Sequence, residues 1–181
     1  MPRDRFRQIA NGLFNSRLLY CLQVFGNIWG LATNDESTRR FSAFTKNDNR
    51  KLQVLQNQIL RMMTGLSPDT PTTRLLHEAN SLSVHQLTAF TTLLSAQKAM
   101  FNDSPEYLAR KLDITENNIP LRNTNILRVR AELTLTRGGF FYRAALLWNL
   151  LPDDLRSRLP PDLFKEKVKN WVKANILAKP P

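Results

Sequence analysis

The 181-residue chain has one cysteine, Cys21, and two histidines, His77 and His85. A single thiol builds neither a disulfide framework nor a cysteine-rich zinc knuckle. It fits a reducing, intracellular compartment, nuclear or cytoplasmic. The histidines lack the Cys or His spacing of a zinc site, so both read as surface or packing residues. Cys21 lies in an apolar helical stretch and reads as an inert, buried thiol. The motifs GxxxxGK[ST], GxGxxG and GxSxG are absent, so no cofactor is expected. No apolar run is long enough for a bilayer: Leu18 to Leu31 is broken by Gln23, Gly26, Asn27 and Gly30. The opening MPRDRFRQ has charge but no apolar stretch behind it, which argues against secretion.

Acids are also scarce. Fifteen Asp and Glu face 26 Lys and Arg, for a net charge of +11. Residues 1–50 carry +4, residues 51–120 carry zero and residues 121–181 carry +7. Such a balance points to anionic partners, RNA or DNA before membrane, held without strong sequence preference. The apolar fraction of 42%, with three Trp and ten Phe, is enough for a packed core.

Periodicity predicts a mainly α protein, a bundle of about six to seven helices. Residues 4–26 form the first, with Phe6, Ile9, Leu13, Arg17, Tyr20 and Val24 on one stripe. The polar stretch 32–47 reads as loop. The second helix spans about 48–64 with Leu52, Leu55, Ile59 and Met62 inward and Gly65 as its stop. Thr70 and Pro71 start a short helix as cap and first-turn proline. Ser83 and Gln86 form a capping box for a helix reaching Phe101, with Leu87, Phe90, Leu94 and Phe101 on its inner face. Ser104-Pro105 opens a further short helix ending near Lys111.

Residues 113–125 are polar and read as a connector. Between residues 127 and 136 the period changes to two: Leu127, Val129, Ala131, Leu133 and Leu135 alternate with polar residues, the pattern of an extended strand needing a partner. Residues 141–150 are helical up to Pro152. The last helix covers about 162–176, with Phe164, Val168, Trp171 and Val172 on one face. The resulting division is a helical domain over 1–112, a connector with the extended segment over 113–139, and a C-terminal helical segment over 140–181.

Two adjacent carboxylates, Asp153 and Asp154, raise the possibility of a magnesium-binding pair. They follow a proline and precede a helical turn, a position where acids cap free N–H groups and oppose the helix dipole. The capping role is therefore expected, and no metal site or catalytic residue is assigned. Basic residues remain as the candidate site: Arg50, Lys51, Arg61, Arg128, Arg130, Arg143, Lys165, Lys167, Lys169 and Lys173, for contacts to phosphates. Trp171 can stack on a base, but its register with Val168 and Val172 favours packing.

Four blocks then stand in order: SRLLYCLQVFGNIWG (Ser16 to Gly30), LQNQILRMMTG (Leu55 to Gly65), LSVHQL (Leu82 to Leu87) and GGFFYRAALLWNLLPDDLR (Gly138 to Arg156). Together they resemble the region after the polymerase palm in non-LTR (LINE-type, jockey-like) retrotransposon reverse transcriptases. The closing FKEKVKNWVK also resembles that family's last helix. The resemblance covers nearly the whole chain, and the fourth block is its most specific part. It implies a thumb and C-terminal segment of a transposable-element polymerase, holding template and primer against a palm that lies upstream. The family's catalytic acids, nucleotide-binding residues and endonuclease also lie upstream and have no counterpart here. The implied partners are RNA or DNA and the missing palm domain, with no membrane. The implied product is a truncated or degenerate copy, non-catalytic by itself, in which Met1 is an internal methionine. The alternative is a helical interaction module that docks on a palm or self-associates. Family members ending in a Cys/His zinc knuckle differ from this chain.

Overall fold

The computed structural model describes residues 5, 8–26, 45–101, 112, 126–127 and 139–176. Among them are seven α-helices and no β-strand: α1 (Ser16–Phe25), α2 (Lys46–Thr64), α3 (Thr72–Glu78), α4 (Val84–Phe101), α5 (Phe140–Leu150), α6 (Asp153–Arg156) and α7 (Pro161–Asn175). A π-helical segment, Ala10–Asn15, runs directly into α1. The mainly α expectation holds. Of the loop expected at 32–47, residues 32–44 lie outside the described residues and Lys46 and Asn47 already belong to α2; the short helix at 105–111, the connector at 113–125 and the strand positions 128–136 also lie outside the described residues. Leu127 makes a single β-bridge. Its N–H donates to the Asn149 carboxamide oxygen at 2.9 Å, and the Asn149 amide donates back to its carbonyl at 2.9 Å. One side chain of α5 thus satisfies both backbone groups of Leu127, as a neighbouring strand would.

α4 sits at the centre, with α1, α2, α5 and α7 packed around it. The largest core cluster joins Ala89, Leu93 and Ala96 of α4 to Leu147 and Trp148 of α5 and Phe164, Val168 and Val172 of α7. Trp148 is fully buried, its ring centroid 6.1 Å from Phe101 and 6.0 Å from Phe164. The helices expected as a separate C-terminal segment therefore share one core with α4. Buried aromatic and aliphatic side chains of this size each contribute about 1.5–3 kcal/mol, so this cluster dominates the stability of the fold.

The sequence misplaced residues on the faces of two helices. In the first helix, Ile9, Arg17 and Tyr20 are exposed, and Ala10, Leu18 and Leu22 are buried. The packed stripe advances by four from Ala10 through Phe14, Leu18 and Leu22 to Gly26, and carries no charge. Gly26 explains the choice: a Cβ there would stand 2.4 Å from the Leu22 carbonyl oxygen and 2.6 Å from Thr88 Cγ2. Only glycine lets α1 approach α4 this closely. The side chains of Phe6, Leu13 and Val24 lie outside the described residues.

In α2 the expected inward residues Leu55 and Met62 are exposed, 48% and 62% respectively, while Asn49, Gln56, Asn57 and Leu60 are buried. The packed face is rich in amides because it bonds to backbone. In α4, Leu87, Phe90, Leu94 and Phe101 are half-buried and pack against the core, as expected. A central helix is covered on several sides, so small residues and Thr88 and Thr92 line its tightest contacts. The two hydroxyls return their hydrogen bonds to the carbonyls of Val84 and Thr88, which makes burial tolerable.

Helix ends follow the sequence more closely. Gly65, at φ 74°, closes α2 and donates to the Arg61 carbonyl at 2.7 Å. Thr45 and Asp48 form a capping box at its start, and the Thr45 hydrogen bonds hold the Asp48 carboxyl below its usual range. The Ser83 and Gln86 box is present, with both bonds at 3.2 Å. α3 begins at Thr72 with Pro71 at the cap, so Thr70 is not its cap. Instead the Thr70 carbonyl accepts from the Arg61 guanidinium at 3.2 Å.

Asp153 and Asp154 do lie in the first turn of α6, but neither side chain caps it. The Leu155 and Arg156 N–H groups go to the Pro152 carbonyl, and the Asp153 carboxylate pairs with Arg156. The fixed backbone of Pro152 supplies the cap acceptor, which leaves the carboxylate free for a cation. No helix among the described residues is long and apolar enough to cross a membrane.

Candidate nucleic-acid interface

Two basic helices, α2 and α7, are fastened to one short connector, residues 79–83, and the first turn of α4. From α2, Gln53 accepts from the Val84 N–H at 2.8 Å and Gln56 donates to the Leu82 carbonyl at 2.9 Å. Gln53 is itself held by Gln56 and Asn57, and Asn57 reaches Thr72 of α3 at 3.0 Å. The Val84 N–H is one of the orphan donors of a helix start, and a side chain from another helix satisfies it. From the other side, the Gln86 amide donates to the Ile176 carbonyl at 2.9 Å and ties down the end of α7.

Asn80 is the centre of this junction. It adopts a left-handed backbone at φ 46° just beyond α3. The Asn80 N–H donates to His77 and the Ser81 N–H to Leu76, the double closure of a Schellman motif. Two lysines of α7 bind it: Lys169 donates to its carbonyl at 3.2 Å and Lys173 to its carboxamide oxygen at 2.8 Å. Both ammonium groups therefore stand at the C-terminal, partially negative end of α3. Their role is partly structural, which periodicity alone does not reveal.

Lys165, Lys169 and Lys173 are spaced by four and share one stripe of α7. Burial, then repulsion from Lys173 and from Lys165, lowers the Lys169 pKa. Among the described residues none of the three has a carboxylate partner; Asn80 positions two of them through neutral oxygens that do not cancel their charge. Lys167 is exposed and two positions out of register with this stripe. Phe164, Val168 and Val172 form the buried stripe next to the lysine stripe, about 100° around the helix, and Trp171 is half-buried against the core. That burial reduces the indole face open for base stacking.

The remaining candidates divide. Arg50 and Lys51 are exposed on α2. Arg61 is half-buried and bound to Thr70. Arg143 is 4% exposed, and burial pushes its pKa down to about 10. Its place in the interior of α5 takes it off the solvent-facing surface that a phosphate can reach. Arg128 and Arg130 lie outside the described residues. Of the histidines, His77 is exposed and His85 buried, and Cys21 is half-buried. Among the described residues no three His, Cys, Asp or Glu side chains converge as metal ligands.

Sequence reasoning missed Asn80. An Asn immediately after a helix is a recognisable closing signal, so its backbone role was open to inference. Its lysine partners, 89 and 93 residues away, carried no local signal. Compared with protein-family models, with curated proteins and with solved structures, the chain matches none.

Proposed function

We propose that this chain holds nucleic acid through its basic helices, as the thumb and C-terminal region of a non-LTR retrotransposon reverse transcriptase, and performs no catalysis of its own. The carrying observation is the stripe Lys165, Lys169 and Lys173, which has no carboxylate partner among the described residues. A net charge of +11 and the four ordered sequence blocks support the same reading. Anchoring by Asn80 fixes where the Lys169 and Lys173 ammonium groups stand, so a strand meets a partly preordered positive surface. Contacts of this kind go to phosphates and carry no sequence information. Titrating a structured RNA at several salt concentrations tests it. Affinity that falls steeply with salt is the expected outcome; no binding, or binding indifferent to salt, sinks it.

A second reading has its own observation. Val54, Leu55 and Met62 are exposed on α2 beside Arg50 and Lys51, because the amide-rich face is the one that packs. An exposed apolar strip of this sort suits a docking surface, for a palm domain or a second copy. Sedimentation of the wild-type chain and of Leu55→Glu/Met62→Glu separates the cases. A monomer in both removes self-association.

A further inference from the structure

An open cleft of about 430 Å³ lies where the outer face of α3 meets the end of α7. Thr73 and His77 stand one turn apart on its α3 wall, Ser81 belongs to the connector, and Lys173 enters from α7, with Leu76 as an apolar wall. Two of these groups are unengaged. Neither the Thr73 hydroxyl nor the His77 imidazole has a hydrogen-bond partner among the described residues, and both are exposed. Lys173 gives one donor to Asn80 and keeps two of its three. Among the described residues no carboxylate lines the cleft.

We infer that this cleft is a binding pocket for a phosphate group carried on a nucleotide. Hydroxyl, imidazole and ammonium groups approach it from three separate elements, which suits a tetrahedral anion with several acceptor oxygens. A planar carboxylate is better matched by an arginine fork. The cleft is larger than a phosphate and falls within the usual range of small-ligand sites. The surplus accommodates the adjoining sugar against Leu76. Lys169 does not line the cleft, but its bond to the carbonyl of Asn80, which does, brings a second positive charge near it without competing for the Asn80 side chain. The nucleotide origin of the phosphate rests on the nucleic-acid reading; the fit to a phosphate group does not.

The test follows backbone amide signals of the full chain at fixed ionic strength. Three probes are added separately: inorganic phosphate, a short single-stranded oligonucleotide with a 5′-phosphate, and the same strand with a 5′-hydroxyl. Shifts at Thr73, His77 and Ser81 are expected. Thr73→Val/His77→Ala should weaken the binding that causes them by roughly tenfold, with little change in the unfolding midpoint, since both side chains are exposed and neither is hydrogen-bonded among the described residues. Stronger binding of the 5′-phosphorylated strand assigns the pocket to a terminal phosphate. Equal binding of both strands, with the cleft shifts retained, assigns it to a backbone phosphate. If the strands bind and the cleft does not respond, the pocket inference fails and the nucleic-acid reading survives. If inorganic phosphate moves the cleft and neither strand binds, the pocket survives and that reading fails. Unchanged affinity in the double variant overturns the pocket outright.

Discussion

Lys173 donates to the carboxamide oxygen of Asn80 at 2.8 Å across 93 residues of sequence. That contact, with the Lys169 bond beside it, fastens the last helix to the end of α3. Asn80 holds a left-handed backbone, a conformation that costs other L-residues about 1–2 kcal/mol. Asn80→Ala should therefore lose that strain energy as well as the lysine contact. Asn80→Gly loses the contact but tolerates the backbone. Urea unfolding should rank wild type, then Asn80→Gly, then Asn80→Ala. Equal losses in the two variants would mean that the backbone at this position is not what Asn80 secures.

Gly26 presses against Thr88 where α1 meets α4. Gly26→Ala should cost about 1–3 kcal/mol through overpacking. Thr88→Ser in the same chain removes the Cγ2 atom at 2.6 Å and should recover part of the loss, leaving the conflict with the Leu22 carbonyl. A stable Gly26→Ala protein would show that α1 can shift on α4 without penalty.

The Lys169 pKa is lowered first by burial and then by Lys173 and Lys165. Its folded form binds the proton less well than the unfolded chain does. The residue thus opposes folding while charged. That opposition fades as pH rises from the lowered value toward the ordinary lysine value of 10.5. Replacing Lys169 with Gln should flatten this alkaline rise in stability. Lys173→Met should move the Lys169 midpoint upward in a side-chain NMR titration, and only part of the way, since burial remains. A midpoint that does not move would show that the two ammonium groups are not close enough to repel.

Boundaries were legible in the sequence because glycine, proline and capping pairs act locally. Gly65, the Ser83 and Gln86 box and Pro152 each mark an end without reference to the rest of the chain. Faces were less legible. Counting apolar residues turned α2 partly the wrong way, since Gln53 and Gln56 face inward to bond Val84 and Leu82, about 30 residues distant in sequence, and Asn57 to bond Thr72 of α3. The same count put Tyr20 inside, when the closest approach was decided by Gly26 having no side chain. The lysines of α7 were legible as a basic group, though not as the stripe that leaves Lys167 out of register. Their anchoring to Asn80 was not legible, because it depends on two helices meeting in three dimensions.

The most direct measurement is the salt dependence of binding to a single-stranded RNA, wild type against Lys165→Gln/Lys169→Gln/Lys173→Gln, with circular dichroism confirming the fold of both. Each phosphate contact contributes a slope of about 0.7 in log affinity against log salt for a single strand. If the three lysines grip the strand, the triple variant should bind more weakly and its slope should be shallower by roughly 2. Two parallel lines of equal affinity would mean that the lysines of α7 serve only to fasten the helix.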